Sequence, residues 1–320
     1  MKKIRIKFCD WYAGYNERTH WLGKILMKYY DVEFCDDNPD YVFFSAFGYE
    51  HLNYDCVKIY YTAEDLTPDF NLCDYAIGFD YITFEDRYLR FPLYCAQPGF
   101  EDATKKHLFT EDDLKNKTEF CEFIVSNAKG TPLRTEFFHK LSEYKKVNSG
   151  GKYLNNIGAP LDSKTEFQKK HKFSIVFENG SHRGYTTEKI IHAFEAQEIP
   201  IYWGDPTISS QFNPKSFINA NDYDNLDDVV KRVIEIDNDE ELYRSILSEP
   251  IFVGGITPDE YKFEALENYL KYVFDQPLEK APRRGHYTTR DLRINDLKRY
   301  KKIIDTSEKL IPKAVLKLFG

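Results

Sequence analysis

The chain has 320 residues, 30% of them charged and 42% hydrophobic, a globular composition with room for two domains that each bury a core. A formal charge of −8 argues against generic nucleic-acid binding, which needs a basic face, so no nucleic-acid partner is expected. Six cysteines with no C-x-x-C pair, in a chain this large, read as reduced thiols and exclude a zinc ribbon or a dense disulfide framework.

The first hundred residues alternate short apolar strands with turn or helical segments. "KIRIKF" reads as a strand and "ERTHWLGKILMKYY" as a helix; "DVEFC", "DYVFFSAF", "DCVKIYYT" and "DYAIGF" follow as strands. This is an α/β pattern favouring a parallel open sheet. The charge-rich "DATKKHLFTEDDLKNKTE", 102 to 119, reads as an inter-domain connection. A second series then runs through strand "EFCEFIVSN", helix "PLRTEFFHKLSEYK", strand "KFSIVFEN", helix "TTEKIIHAFEAQ", strand "IPIYWG" and "KSFINAND". The expected division is 1–115, 116–282 and a basic tail over 283–320, with the two α/β halves facing across a cleft. From His286 to Gly320 there are nine Lys or Arg against four Asp or Glu, with apolar residues at roughly helical spacing and a helix-breaking Pro312. No window of eighteen apolar residues occurs, and "MKKIRIKFCDW" lacks the apolar region of a signal peptide, so a cytoplasmic protein is expected.

The chemistry concentrates in "VFENGSHRGYTTEKI", residues 176 to 190. An apolar strand ends on Glu178, a glycine-containing loop follows, and a helix restarts at Thr186-Thr187-Glu188-Lys189. A helix N-terminus after such a loop presents free N–H groups and a positive dipole end, which is an anion site. The spacing fails the Walker pattern, because neither Gly180 nor Gly184 is followed by Lys-Ser or Lys-Thr. On these residues alone an ordinary helix capped by Thr186 or Thr187 explains the stretch equally well.

The flanking sequence, "HKFSIVFENGSHRGYTTEKIIHAFEAQEIPIYWGDPTISSQFNPKSFINANDY", resembles the donor-binding signature of the α1,3/4-fucosyltransferases that use GDP-fucose. "YYTAEDLTPDFNLCDYAIGFDYITFEDRYLRFPLY", "FIVSNAKGTPLRTEFFHKLSEYKKVNSGG" and the tail fragment "DLRIND" are similar to the bacterial, Lewis-antigen-making members. The resemblance implies a GT-B arrangement of two Rossmann-like domains. It implies inverting transfer of L-fucose from GDP-fucose to the GlcNAc 3-hydroxyl, or 4-hydroxyl, of N-acetyllactosamine-type glycans. By the same resemblance Arg134 and Lys189 bind the diphosphate, Glu188 and Tyr185 contact ribose and base, and Asn127, Glu178, Asn179 and Thr187 are further donor-site positions. Glu64, the acid of Y-T-x-E, matches the family's proposed general base, with Asp65 as its neighbour. The family's V-S-N is normally followed by proline, where this chain has Ala128.

Two cations and a helix dipole serving the departing diphosphate make a metal unnecessary in this scheme, so none is expected to be essential. Asp222-x-Asp224 and Asp237-x-Asp239 have metal-site spacing, yet their acidic surroundings read as solvated charge, and the eight histidines form no ligand pair. Trp11, Trp21 and Trp203 are candidates for sugar stacking, with Trp203 in an apolar strand read as core. In the bacterial members D-D-L-R-x-N-Y heptads precede a basic end associated with dimerisation and the membrane. One degenerate heptad, Asp291 to Leu297, leaves little length for a dimer, and peripheral membrane contact by residues 298–320 is the expectation for the tail. The alternatives are a GT-B-fold glycan-binding protein without turnover and a GT-B transferase using another nucleotide sugar. His182 and Arg183 have no counterpart in the resemblance and no assigned role.

Overall fold

The computed structural model describes residues 1–285 and 289–310. Its strands and α-helices are, in chain order, β1 (Lys3–Cys9), α1 (Trp21–Tyr29), β2 (Asp31–Phe34), β3 (Tyr41–Phe44), β4 (Val57–Tyr61), β5 (Tyr75–Gly78), β6 (Tyr88–Arg90), α2 (Phe100–Ala103), α3 (Glu111–Lys115), β7 (Glu119–Phe123) and α4 (Pro132–Tyr144). There follow β8 (Val147–Ser149), α5 (Lys164–Gln168), β9 (His171–Phe177), α6 (Lys189–Glu195), β10 (Ile199–Trp203), β11 (Ile218–Asn219), α7 (Leu226–Asn238), α8 (Glu240–Leu247), α9 (Phe263–Asp275) and α10 (Thr289–Leu310). Contacts group them into two compact units. One holds residues 1–78, 82–89 and the chain from Leu266; the other holds 79–81 and 90–265.

The first unit is built on a sheet of order β2-β1-β3-β4-β5-β6, parallel from β2 through β5. β3 and β4 bury every residue, Lys58 included, because a parallel sheet is covered on both faces. α9 buries Leu266, Leu270, Val273 and Phe274, the last with its ring centroid 4.6 Å from that of Tyr41. The segment after α9 is clipped to the strands by the fully buried Asp74 carboxylate. It accepts the backbone N–H groups of Lys58, Arg283 and Arg284, and Arg284 Nε, at 2.8 to 2.9 Å.

These contacts divide the chain elsewhere than at 115/116 and 282/283. Residues 90–115 join the second unit, and α9 returns to the first. The stretch 102–119, expected as an inter-domain connection, packs within the second unit. Phe100 and Ala103 of α2 are buried, α2 packs on α6, and the fully buried Lys106 ammonium donates to the last carbonyls of α8, Ile246 O at 3.1 Å and Leu247 O at 2.9 Å.

The second unit carries a wholly parallel sheet of order β11-β10-β9-β7-β8. Phe137 and Leu141 of α4 and Val229, Val233 and Ile236 of α7 complete a core with Phe123, Phe173, Phe177 and Ile201. From β7 the chain passes through α4 to β8 at one edge, then crosses back to β9 and proceeds to the other edge. β7 and β9 are therefore neighbours whose following loops diverge. Open α/β sheets bind ligands at such a switch point, outside the carboxyl ends of the strands.

α10 is a 22-residue helix with Leu292, Tyr300 and Ile303 exposed, and Arg293 Nη2 lies 2.8 Å from Asp69. Pro312 and the apolar residues expected beyond it lie outside the described residues. No described helix is long and apolar enough to cross a membrane.

Candidate active site

Two loops leave the switch point, and each brings a cation back to it. After β7 the chain reaches Thr131, whose hydroxyl caps α4 by accepting Leu133 N–H, and Pro132 occupies the first helical position. Arg134 follows in the first turn, only 2% exposed. Its Nη2 donates to Asn127 O at 2.6 Å and its Nη1 to Asn179 Oδ1 at 3.2 Å, while Nε has no partner among the described residues. A Cβ at residue 130 would sit 2.5 Å from Nη2, so glycine there lets the guanidinium lie against the backbone. Thr131 N–H donates to Asn179 O at 3.0 Å and fastens the first loop to the second. Among the described residues no carboxylate pairs with Arg134. Burial pulls its pKa below the ordinary arginine value, with Tyr153 and Glu178 opposing, yet a guanidinium remains charged at physiological pH.

After β9 the buried Glu178 extends the strand, its N–H donating to Trp203 O at 2.8 Å. Its carboxylate accepts Thr187 N–H at 2.7 Å, the Thr187 hydroxyl at 2.9 Å and the Lys189 ammonium at 2.6 Å. Thr187 is thus spent on Glu178, Thr186 Oγ1 lies 3.3 Å from Asp205 Oδ2, and α6 begins at Lys189 with no side-chain cap. The expected helix start at Thr186 is three residues early, because both threonines satisfy buried carboxylates instead of capping. Burial works against charge on Lys189, but Glu178 and then Glu188 outweigh it and hold its pKa above the ordinary lysine value. Arg134 acts on Lys189 in the opposite sense, so the two cations feel each other.

Asn127 and Asn179 are exposed beside this cluster, and Asn127 Oδ1 accepts Lys129 N–H at 2.8 Å. Glu188 is half-buried at the mouth of α6. Tyr185 is buried to 2%, its ring 5.1 Å from that of Phe79 in an edge contact. Arg183 is exposed. The sequence reading missed the anchor of this loop: His182 Nε2 lies 3.2 Å from the buried Asp80 carboxylate, and Gly184, at φ +86°, passes so close to Phe79 O that a Cβ would come within 2.6 Å. Asp80 ends the "DYAIGFD" run, but only the fold brings it to a loop a hundred residues on.

Glu64 belongs to the first unit, three residues beyond β4, and is exposed. Its N–H donates to Thr62 Oγ1 at 3.0 Å and its carbonyl accepts Leu66 N–H at 2.7 Å, a turn that leaves the carboxylate in solvent. Of the two D-x-D pairs, Asp237 is not solvated charge. It is buried in ion pairs with Lys172, at 3.0 Å, and Lys145, and Asp239 caps α8. Among the described residues no group of three His, Cys, Asp or Glu side chains is placed to hold a metal ion.

The chain matches two family descriptions along its length. Residues 6–97 match the "Alpha-(1,3)-fucosyltransferase FucT N-terminal domain" and residues 114–248 match "Glycosyltransferase family 10 (fucosyltransferase) C-term". It is 37% identical over 225 residues to "Alpha-(1,3)-fucosyltransferase FucT" of Helicobacter pylori, an alignment covering 60% of this chain and 46% of that protein. The chain thus spans less than half the length of that relative. A crystal structure of an alpha1,3-fucosyltransferase with GDP-fucose superposes with a TM-score of 0.72 at 26% identity, covering 89% of this chain and 94% of that one. Another crystal structure of an alpha1,3-fucosyltransferase gives 0.74 at 29% identity over 86% and 91%. These likenesses bear out the expected GT-B-like fold class of two parallel-sheet domains. The chain belongs to the glycosyltransferase family 10 fucosyltransferases.

Proposed function

We propose that the protein transfers L-fucose from GDP-fucose to the GlcNAc 3-hydroxyl of N-acetyllactosamine-type glycans with inversion at the anomeric carbon. The observation that carries this reading is the buried Arg134, whose Nε is unpaired and which pairs with no carboxylate among the described residues. A buried cation without a counter-ion is costly, and a diphosphate supplies the missing anion. Lys189 is the second cation. Breaking the fucosyl–oxygen bond leaves both its electrons on the diphosphate, so contacts from Arg134 and Lys189 strengthen toward the transition state and raise the rate.

In this reading Glu64 accepts the acceptor's hydroxyl proton as the oxygen attacks the anomeric carbon from the face opposite the leaving diphosphate. Asn127, Asn179 and Glu188 are the polar groups available to the donor's ribose and sugar. Positive charge from two side chains serves the leaving group without a divalent metal. Product linkage analysis after incubation with GDP-fucose and type 1 or type 2 disaccharides tests the reaction and separates 3- from 4-hydroxyl transfer; no product with either overturns it. A thermal-shift comparison of GDP, UDP and CMP tests the nucleotide.

For the tail, exposed Leu292, Tyr300 and Ile303 among the cations of α10 support peripheral contact with anionic lipid at the inner face of the cell membrane. Liposome pelleting unchanged by removal of residues 286–320 overturns that part.

A further inference from the structure

Three loops of the first unit open at the same, carboxyl end of its parallel strands. β1, β3 and β4 are adjacent and parallel, and Tyr12, Phe47 and Glu64 each follow the end of one of them by three residues. Tyr12 is 50% and Phe47 51% exposed, with ring centroids 6.4 Å apart and planes at 85°. Two large aromatics held in solvent in an edge-to-face corner lose burial they would gain by collapsing inward, so something must hold them out.

Asp10 holds them. It adopts a left-handed backbone, φ +59°, uncommon for a residue with a Cβ. Its buried carboxylate accepts Glu50 N–H at 2.8 Å, His51 N–H at 2.9 Å and the His51 ring at 2.7 Å from Nδ1, and its carbonyl accepts Phe47 N–H at 2.9 Å. The loop after β1 and the loop after β3 are thereby tied together. Beneath Tyr12, Trp11 stacks on Tyr15 at 4.1 Å, anchors its Nε1 on Phe43 O at 3.2 Å and lies 5.9 Å from the Tyr61 ring at the end of β4. The aromatic corner is built on a locked base and tied to the strand that leads to Glu64.

We propose that Tyr12 and Phe47 form the stacking platform for a pyranose ring of the acceptor glycan, an assignment that rests on Glu64 being the acceptor-side base. The apolar C–H face of a pyranose packs on the negative face of an aromatic ring, while the hydroxyl of the half-exposed Tyr12 can meet a sugar hydroxyl. A rigid corner fixes the ring's orientation at little entropic cost and presents its neighbour's hydroxyl to the strand-end carboxylate.

The test uses the full chain with Tyr12→Ala, Phe47→Ala and the conservative Tyr12→Phe. Acceptor KM is expected to rise about tenfold in either alanine variant while KM for GDP-fucose stays within about twofold, with Tyr12→Phe recovering most of the affinity. Saturation-transfer NMR with N-acetyllactosamine and no donor reads the same contact without turnover. Loss of the sugar's saturation signals in the alanine variants supports the platform even if the native protein transfers no fucose, a result that would sink only the transferase reading. Unchanged acceptor KM and unchanged saturation signals overturn the platform. So does a native dimer that dissociates on Phe47→Ala with glycan binding intact, since the corner would then face a second copy of the chain.

Discussion

The Lys189 ammonium meets the buried Glu178 carboxylate at 2.6 Å, and the charge of Arg134, which pairs with no carboxylate among the described residues, is felt at Lys189. Glu178 is shared between holding Thr187 in place and neutralising Lys189, so the ammonium is positioned before any ligand arrives. Lys189→Met should leave Glu178 with only the Thr187 donors, lowering stability by about 1–3 kcal/mol. It should also weaken GDP binding at least about tenfold. Denaturant midpoints and calorimetric titration with GDP read the two effects separately, and an unchanged Kd would remove Lys189 from the diphosphate site.

Arg134 should behave in the opposite way without ligand. Its guanidinium is buried, with Nε unpaired among the described residues, so Arg134→Met removes the cost of burying a charge along with two hydrogen bonds. The melting temperature without nucleotide is expected to shift by no more than a few °C, about 1 kcal/mol, in either direction. The rise produced by saturating GDP should vanish. Arg134→Lys should not rescue it, because a point charge cannot reproduce the fork that reaches both Asn127 and Asn179. A large loss of stability without nucleotide would show that Arg134 is structural.

The strands were legible because parallel strands covered on both faces are continuous apolar runs; β3, β4 and β9 stand where "YVFF", "VKIYY" and "HKFSIVF" are written. Lys189 stood out locally, opening a helix after a strand and a glycine-containing loop, whereas Arg134 and Glu178 were singled out by the resemblance to the fucosyltransferases. What failed were places where a polar side chain has a distant partner. The many charges of 102–119 read as an inter-domain connection, although one of them, the Lys106 ammonium, closes the end of α8 from within the second unit. Thr186 and Thr187 look like caps until the strand-end acids that claim them are seen. Asp237 reads as solvated until Lys145 and Lys172 are found around it. The return of α9 to the first unit has no local signature at all, since its apolar spacing fits either core.

His182 was left without a role by sequence, and its contact with Asp80 at 3.2 Å supplies one. The residues on either side of it include Glu178 and Lys189, so this pair fixes the middle of the loop that carries the site. His182→Ala should raise KM for GDP-fucose several-fold with little change in kcat, since the loop's ordering would then be drawn from binding energy. His182→Gln, which can still donate to the carboxylate, should fall between the two. Equal KM values for all three proteins would make the pair incidental.

A last expectation concerns pH. Glu122 and Glu198 are wholly buried; Gln168 Nε2 donates to Glu122 Oε1 at 3.0 Å and reaches Glu198 Oε2 at 3.5 Å, while Glu122 Oε2 and Glu198 Oε1 have no partner among the described residues. Burial raises both pKa values above the ordinary glutamate value of 4.5, and for Glu198 the Glu122 charge adds to it, with Lys117 and Lys164 opposing without cancelling. A group whose folded-state pKa is raised gives stability that is fully present below its unfolded pKa and is lost as pH rises through the folded one. Glu198→Gln keeps the shape of the neutral acid and removes that loss. Its melting temperature should match the native protein's near pH 4 and exceed it increasingly toward pH 8, by a few °C for about 1 kcal/mol. A gap that stays constant with pH, or that favours the native protein at pH 8, would mean that Glu198 is ionised and compensated in the fold.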